Sequence, residues 1–478
     1  MSYAAAIDQL SAMTPELFTQ PGHTRRKFSL DEIGILLAAM GNPHHRFPSV
    51  LIAGTNGKGS TAATLASILT ASGLCAGLYT SPHLTRPNER IRVNGVEITD
   101  DAFASLYFRV HDCGQQLVLD QTLAQLPSFF ETLTAMAFLH FAESAPHTCV
   151  DIAILEVGMG GRLDATNIVD PILSIVTDIS LDHTEWLGPT IAAIAREKAG
   201  ILRSNGTLIT LPQHPEANEV LGEIATELGV RAINAVPYMP PAQPASGAAR
   251  TVAEAVPPSS YLVQALGAAI EVASPLHGAH QHRNIALAIA AAVELAFHHG
   301  VPITPTSLAA GIRNTCWPAR LEQIVTHDSE ESAPTQWVLD VAHNPAGAWA
   351  LRAALRPLLD LDVPNAKPAT LIFGCLRDKP IAEMAQILFP IFDRVIFAPI
   401  HSPRATPMAD LLAAAASTGT PATAATSVAE AIELAESSSS ASTKSARTAS
   451  TAVVVIAGSV YLVGEARALL LDRAGVPA

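Results

Sequence analysis

The sequence contains 478 residues, more than a single hydrophobic core usually supports, so at least two domains are expected. Acidic residues outnumber basic ones by 43 to 29, and the net charge of −14 argues against nonspecific binding to nucleic acid or to an anionic membrane. The five cysteines are widely spaced and include no C-x-x-C pair, which argues against a disulfide framework and a zinc site.

Neither end of the chain predicts export or membrane insertion. The N-terminal stretch lacks the basic start and the long apolar centre of a signal peptide. The apolar run at 451–464 is interrupted by small residues and is too short to span a bilayer. We therefore expect a cytoplasmic protein that binds neither membrane nor nucleic acid.

Short apolar runs alternate with helical patterns in the first half of the chain, which is typical of α/β proteins. The predicted elements are strands at 50–53, 150–157, 172–177 and 207–211, and helices at 60–72 and 190–199. Strands that are apolar on both faces indicate a parallel sheet covered by helices, and such sheets bind ligands at the carboxyl ends of their strands. Polar motifs at these ends are therefore candidates for a functional site.

The first such motif is LIAGTNGKGST at 51–61. Its glycines allow successive N–H groups to point at an anion above a helix N-terminus, which predicts a phosphate-binding loop. Lys58 would reach the outer phosphates, and Ser60 or Thr61 would supply a hydroxyl to Mg²⁺. Gly59 separates the lysine from these hydroxyls, which departs from the common G-x-x-x-x-G-K-[ST] spacing.

Ser81 follows the next apolar run and precedes three arginines. These are Arg86, Arg90 and Arg92, and they form either an anion-binding lip or scattered surface charges. Further along the chain, Glu156 ends a predicted strand before a glycine-rich turn. It is either a Mg²⁺ ligand or a solvated loop residue.

Two motifs beyond residue 180 also carry charged side chains. His183, beside Asp182 and Glu185, is either a ligand of a second cation or an ordinary polar residue. Lys198, near the C-terminal end of a predicted helix, by default only stabilises the helix dipole.

Residues that suit a nucleoside appear later in the sequence. Gln281 and Asn284 begin a long helix, where they either cap the backbone or bind a base. Asp340 ends a strand in VLDVAHNP, a position suited to ribose hydroxyls.

A second alternating series begins at 336 and predicts a second sheet. Trp317 and Pro318 interrupt the helical pattern before it, which places a domain boundary between 313 and 320. Residues 236–258 are rich in proline and alanine and predict an exposed insertion. Residues 436–451, rich in serine, alanine and threonine, favour a flexible loop of low complexity.

Together these motifs resemble the folylpolyglutamate synthase and dihydrofolate synthase family of Mur-type amide ligases. The matching motifs, in chain order, are GTNGKGS, SPHLTRPNERI, LEVGMGGRLDATN, LDHTEWLG, REKAGI, GAHQHRN, WPARLE and DVAHNP. Gly59 fits this family, whereas cell-wall ligases usually place threonine or serine directly after the lysine. The resemblance implies a P-loop-containing, mostly parallel α/β domain at 1–313, followed by a smaller Rossmann-like α/β domain at 320–478.

The resemblance also implies a role for individual residues. The expected ATP contacts are Gly57, Lys58, Gly59, Ser60, Asn284, Arg320 and Asp340, with His343 near nucleotide or glutamate. The expected metal ligands are Ser81 and Glu156 for one Mg²⁺ and His183 for a second cation. The expected substrate contacts are Arg90, Ser128, Phe129, Phe130, Glu131, Leu163, Asp164 and Ala165. Lys198 is expected to be carbamylated, and Lys58, His183 and Lys198 are the expected catalytic residues.

The implied reaction is the ATP-dependent addition of L-glutamate to dihydropteroate, to the glutamate tail of reduced folates, or to both, through an acyl phosphate. ATP is then a substrate, Mg²⁺ the cofactor, with two ions expected, and the protein a monomer. A Mur-type ligase acting on a cell-wall precursor is the first alternative. A P-loop kinase, GTPase or nucleotide sensor is the second.

Overall fold

The computed structural model of the chain describes residues 2–13, 29–143, 149–241, 259–326, 334–359, 369–443 and 452–475. These residues form two compact units. The first unit contains the described residues of Met1–Pro240, Tyr261–Ala273 and Arg283–Thr315, and the second includes those of Ser274–His282 and Cys316–Ala478. The second unit thus takes a short segment from within 1–313, the range that was predicted to form one continuous domain.

The first unit is built on a mostly parallel sheet. Its strands are β1 (Ser49–Ala53), β2 (Ala76–Tyr79), β3 (Ile91–Val93), β4 (Val96–Glu97), β5 (Ile152–Glu156), β6 (Leu173–Val176), β7 (Thr207–Thr210) and β8 (Arg231–Asn234). They lie in the order β4-β3-β2-β5-β1-β6-β7-β8, and all neighbours are parallel except β2 with β3 and β3 with β4. The predicted strands are confirmed, with ends that differ by one or two residues.

Helices precede and follow these strands along the chain. They are α1 (Tyr3–Ala12), α2 (Leu30–Ala39), α3 (Lys58–Ala71), α4 (Asp100–Leu119), α5 (Phe129–Ala142), α6 (Thr184–Leu187), α7 (Ile191–Ala199), α8 (Pro215–Glu227), α9 (Ala279–His298) and α10 (Pro305–Arg313). Strands β9 (Ser259–Ala265) and β10 (Ala268–Ser274) pair in a separate small sheet. Every residue of β1, β5 and β6 is buried, as expected for strands covered on both faces.

The second unit contains a second α/β sheet. Its strands are β11 (Arg320–Thr326), β12 (Thr335–Asp340), β13 (Ala369–Phe373), β14 (Arg394–Phe397), β15 (Ala422–Ala424) and β16 (Ala452–Ala457). They lie in the order β11-β12-β16-β13-β14-β15, and only β11 is antiparallel to its neighbour. The helices are α11 (Pro345–Leu355), α12 (Ile381–Leu388), α13 (Met408–Thr418), α14 (Val428–Thr443) and α15 (Val460–Ala474). The predicted second sheet is confirmed.

Two predicted loops have different outcomes. The prediction of a flexible loop at 436–451 is wrong for its first part, because α14 continues to Thr443. Alanine favours helices, and the buried Ala431 and Ile432 anchor the start of α14 in the core. Residues 444–451, and 242–258 of the predicted insertion, lie outside the described residues. Of that insertion, Val236–Tyr238 forms a short 3₁₀ turn.

None of the described helices is both long enough and apolar enough to cross a bilayer.

Candidate active site

The loop between β1 and α3 has the geometry that its glycines predicted. Gly57 has a φ of 90° and immediately precedes α3, and a Cβ atom there would lie 2.1 Å from Asn284 Oδ1. A Cβ atom on Gly54 would lie 1.8 Å from Thr177 Oγ1. Both positions therefore exclude any side chain, and the loop leads directly into the N-terminus of a 14-residue helix, where anions bind favourably.

Two lysines donate to the same carbonyl group in this loop. Lys58 Nζ lies 3.1 Å from the carbonyl oxygen of Gly54, and Lys198 Nζ lies 2.7 Å from it. Lys198 is only 4% exposed, although it lies in the last turn of α7. This burial is inconsistent with the alternative of a solvent-exposed lysine that only stabilises the helix dipole. Its ammonium form would be both desolvated and close to a second positive charge.

These surroundings change the protonation of Lys198. Burial, followed by the positive charge of Lys58, lowers the pKa of Lys198 to about 7, while the carboxylates of Asp182 and Asp164 act in the opposite direction. A large part of the Lys198 amine is therefore neutral near pH 7. A neutral amine has the lone pair that a nucleophile needs.

Ser81 and Glu156 meet at the ends of two neighbouring strands. Glu156 is the last residue of β5, and its Oε2 atom accepts a hydrogen bond from the Ser81 backbone N–H at 3.2 Å. Glu156 is only 4% exposed, which is inconsistent with the alternative of a solvated loop glutamate. β5 lies between β1 and β2, so this carboxylate ends a strand directly beside the one that leads into the phosphate loop.

His183 lies in the loop after β6, immediately before the short helix α6. It has a φ of 49°, and its backbone N–H donates to Asp182 Oδ1 at 3.0 Å. Its Nε2 atom is 3.9 Å from Asp182 Oδ2, and its side chain is 25% exposed. The carboxylate of Asp182, the residue that precedes His183, also acts on Lys198 through its charge.

The glycine-rich turn after Glu156 is closed by Asp164. The Oδ1 atom of Asp164 accepts hydrogen bonds from the N–H and Oγ1 of Thr166 at 3.0 and 2.6 Å, and Oδ2 accepts one from Met159 N–H at 2.9 Å. Burial raises the pKa of Asp164 against the effect of these hydrogen bonds. Ala165 is buried as well, and Leu163 is partly exposed.

Three of the four predicted substrate contacts in PSFFE have structural roles of their own. Ser128 and Glu131 cap α5 reciprocally: Glu131 N–H donates to Ser128 Oγ at 3.2 Å, and Ser128 N–H donates to Glu131 Oε2 at 2.8 Å. Phe130 is buried, with its ring centroid 5.9 Å from that of Tyr79. Phe129 is partly exposed and lies under the buried guanidinium of Arg90, 5.2 Å from the ring centroid.

The predicted nucleoside contacts of the second unit lie at the end of β12. Asp340 is its last residue, and its carboxylate accepts hydrogen bonds from the N–H groups of Leu321 and Ala342 at 3.0 and 2.9 Å. Burial raises the pKa of Asp340, and the charge of Arg320 opposes this effect. His343 Nδ1 lies 2.8 Å from the carbonyl oxygen of Val341.

Comparison with known proteins identifies the family. The Mur ligase middle domain matches residues 52–292, and the Mur ligase glutamate ligase domain matches residues 320–460. The folylpolyglutamate synthase of Lacticaseibacillus casei is 35% identical, over 78% of this chain and 82% of its own. The dihydrofolate synthase/folylpolyglutamate synthase of Bacillus subtilis is 34% identical, over 82% of this chain and 87% of its own. A solved folylpolyglutamate synthase from Mycobacterium tuberculosis, complexed with ADP and AMPPCP, superimposes with a TM-score of 0.80 at 33% identity, covering 92% of this chain and 95% of that one.

The chain belongs to the folylpolyglutamate synthase and dihydrofolate synthase family of Mur ligases. As a member of this family, it is an ATP-dependent ligase, and the cell-wall alternative is not favoured.

The donor set of this folylpolyglutamate synthase relative suits Mg²⁺ at the strand ends. Ser81 and Glu156 offer oxygen atoms, which Mg²⁺ prefers, and the Ser81–Glu156 hydrogen bond holds the two residues together. Among the described residues, no group of three or more histidine, cysteine, aspartate or glutamate side chains is arranged for a metal. A Mg²⁺ at Ser81 and Glu156 would complete its coordination with phosphate oxygens and water, because Mg²⁺ usually keeps several waters and binds substrate phosphates.

The sequence analysis did not identify three residues that lie outside the phosphate loop and hold it in position. Asp178 and Ser180 bind its backbone and side chains, and Arg283 binds Asp178. All three stand within or near the matching motifs. Their pairing could not be inferred, because Arg283 and Asp178 are 105 residues apart and neither residue type is specific for such a role.

Proposed function

We propose that this ATP-dependent ligase joins L-glutamate both to dihydropteroate and to the glutamate tail of reduced folates. The shared Gly54 carbonyl group supports the phosphoryl-transfer step of this proposal, because it accepts hydrogen bonds from one lysine of the phosphate loop and from one buried lysine beside the same strand end. The Bacillus subtilis relative is named for both synthase activities, which favours two reactions over one.

The chemistry must overcome two difficulties: a carboxylate is a poor electrophile, and its oxygen is a poor leaving group. In the first step, an oxygen of the substrate carboxylate attacks the γ-phosphorus of ATP, the bond from phosphorus to ADP breaks, and an acyl phosphate forms. In the second step, the glutamate amine attacks the acyl carbon, the amide bond forms, and phosphate leaves while the amine loses a proton. The first step brings two anions together, so charge neutralisation and positioning are the main tasks of the protein.

Named residues meet these tasks in the first unit. Lys58 neutralises the transferred phosphoryl group, and the α3 N-terminus with Gly57, Gly59 and Ser60 binds the neighbouring phosphates. Ser81 and Glu156 would hold Mg²⁺, which would supply electrostatic stabilisation of the phosphate charge. His183 with Asp182 is the proposed position of a second cation. No side chain acts as a covalent nucleophile in this scheme.

Lys198 is proposed to be carbamylated. Its neutral amine attacks CO₂, one C–N bond forms and one proton is released, which leaves a carbamate with two oxygen ligands. Burial of Lys198 and its position next to Lys58 support this assignment, because an anionic carbamate beside a lysine is better accommodated than a second ammonium.

The remaining expected contacts stay predictions. Asn284, Arg320 and Asp340 are proposed for the nucleotide, and His343 for the nucleotide or glutamate. Arg90, Phe129 and Leu163 are proposed for the pterin substrate. Ser128, Phe130, Glu131, Asp164 and Ala165 would act on this substrate through the shape that they give to the site. A monomer is the proposed state in solution.

A phosphate-release assay tests the proposed function. Dihydropteroate and tetrahydrofolate are each supplied with ATP and Mg²⁺, with and without L-glutamate, and the products are identified by mass spectrometry. We expect release that depends on glutamate with both acceptors. Release with neither acceptor would reject the folate assignment, and full turnover without glutamate would favour a kinase or nucleotide sensor.

A further inference from the structure

The loop after β6 holds the phosphate loop in position. The Asp178 carbonyl oxygen accepts hydrogen bonds from the N–H groups of Thr55 and Asn56 at 2.8 and 3.2 Å. Thr55 Oγ1 donates to the Ser180 carbonyl oxygen and accepts from the Ser180 N–H, both at 3.1 Å. Asn56 Nδ2 donates to Ser180 Oγ at 3.3 Å. The direction of the phosphate-loop backbone at Thr55 and Asn56 therefore depends on residues 178–180.

Asp178 is in turn held by Arg283 of α9. Arg283 Nε donates to both carboxylate oxygens of Asp178, Oδ1 at 3.0 Å and Oδ2 at 2.8 Å. Arg283 Nη2 donates to Oδ1 at 2.5 Å and to the carbonyl oxygen of Pro212 at 2.9 Å. A guanidinium fixes the orientation of a carboxylate as well as its distance, because its N–H groups are rigid and planar.

The residue after Arg283 contacts the other end of the same loop. Asn284 Oδ1 occupies the space that a Cβ atom on Gly57 would need, and the Asn284 carbonyl oxygen accepts a hydrogen bond from Thr61 Oγ1 at 3.4 Å. Two consecutive residues of one helix thus hold both ends of the loop. Arg283 acts through Asp178 on the first end, and Asn284 acts directly on the second.

We infer that Arg283 is a positioning residue for ATP, which orients the phosphate loop by holding Asp178 against it. The inference rests on the proposed function only in assigning this loop to the phosphates of ATP. Arg283 needs no contact with the nucleotide for this role.

The Arg283–Asp178 ion pair is partly exposed, so a role in positioning the phosphate loop can be distinguished from a role in stabilising the fold. The side chains of Arg283 and Asp178 are 28% and 40% exposed, so solvent screens their attraction and its contribution to stability is small. Gln213 also holds the loop after β6. Its Oε1 accepts a hydrogen bond from Ile179 N–H at 2.8 Å, and its Nε2 donates one to the Thr177 carbonyl oxygen at 3.1 Å. A variant without Arg283 is therefore expected to fold, with a less well oriented phosphate loop.

Three variants test the inference: Arg283→Gln, Arg283→Lys and, as a control, Arg109→Gln. The control removes an exposed ion pair between Arg109 and Glu143 with an N–O distance of 2.8 Å in the same unit. The full-length proteins are compared by the KM values of all three substrates, by the Kd of ADP from calorimetry, and by Tm.

Arg283→Gln is expected to raise the KM of ATP and the Kd of ADP about tenfold, because the loop amides are no longer held in the binding orientation. The KM values of glutamate and folate should change less than about twofold, and Tm should stay near that of the wild type. Arg283→Lys should restore part of the affinity, since lysine keeps the charge without the fork. Arg109→Gln should match the wild type.

Adding Asp178→Asn to Arg283→Gln should weaken ADP binding no further than the more severe single variant, because both substitutions break the same contact. An unchanged Kd of ADP in Arg283→Gln would overturn the inference, and so would an equal rise of all three KM values together with a lower Tm. The calorimetric measurement needs no turnover. A wild-type protein that binds ADP but forms no amide would therefore reject the proposed function and leave the inference open to the same comparison.

Discussion

The two parallel sheets of the chain differ in what lies at the carboxyl ends of their strands. In the first unit, β5 ends with the buried Glu156, and Gly54 after β1 accepts hydrogen bonds from Lys58 of α3 and from the buried Lys198 of α7. In the second unit, β13 and β14 end at a cavity of about 130 Å³. Its lining is mostly apolar and consists of Gly374, Cys375, Ala398, Pro399, Ile400, Ala405, Thr406, Met408 and Leu411.

This difference shows that sheet topology determines where a site can lie, whereas the loops determine its chemistry. Parallel strands place their carboxyl ends at one edge in both units. Among the described residues, β1 alone leads through a glycine-containing loop into a helix that begins with a lysine, Lys58 of α3. In the second unit, the buried Asp340 ends β12, and the buried Lys379 follows β13.

The largest loss of activity is expected when Lys198 of the first unit is replaced. We expect Lys198→Ala to lower kcat/KM by a factor of about 10² to 10³, because it removes the proposed anionic carbamate from a preorganised site. Lys198→Met is the matched control for the lost volume. If activity requires the carbamate, both variants should be inactive, although Lys198→Met should have a higher Tm than Lys198→Ala. An active Lys198→Met would contradict the proposed role.

Substitution of Gly57 tests whether the close approach of Asn284 matters beyond backbone strain. Gly57→Ala should raise the KM of ATP about tenfold or more, because the new Cβ atom displaces Asn284 and reorients the loop. Gly73→Ala is the control: Gly73 has a φ of 85°, close to the 90° of Gly57, but a Cβ atom there would meet no other atom within 4 Å. Gly73→Ala should therefore cost only the strain, about 1–2 kcal/mol in chemical denaturation, at an unchanged KM of ATP. Equal effects on ATP binding would show that strain alone is responsible.

The pH dependence of carbamate formation on Lys198 is a further test of the charged site in the first unit. Since the pKa of Lys198 is lowered to about 7, its amine is protonated below that pH and largely neutral above it. Carbamate formation needs the neutral amine, so its rate should fall as the pH drops through about 7 and level off above. The measurement is ¹³C NMR of the protein with labelled bicarbonate, and Lys198→Met is the control. A carbamate signal on another lysine, with the same pH dependence, would refute the assignment.

For the first unit, the sequence predicts the positions of the strands and of the residues at their ends better than it predicts the burial of those residues. Apolar runs followed by glycine or an acid were sufficient to locate β1, β5 and the residues at their ends. The burial of Lys198 could not be predicted, since it depends on the turn after β5 packing against α7. There a Cβ atom on Gly161 would lie 2.8 Å from the Glu197 carbonyl oxygen, and Asn167 Nδ2 donates to the Gly200 carbonyl oxygen at 3.0 Å. Such contacts join residues that no local pattern relates.

The smallest effect is expected at the apolar cavity of the second unit. Cys375 lines this cavity, and its Sγ lies 3.4 Å from Thr406 Oγ1. Burial raises the pKa of the Cys375 thiol, so it should react with a thiol reagent far more slowly than the exposed Cys316. Cys375→Ala should lower the free energy of unfolding by about 1 kcal/mol through a slightly larger cavity, while kcat/KM changes less than about twofold. Denaturant titration and steady-state kinetics measure the two quantities. A large loss of kcat/KM at unchanged stability would mean that this strand end takes part in the reaction, as is proposed for those of the first sheet.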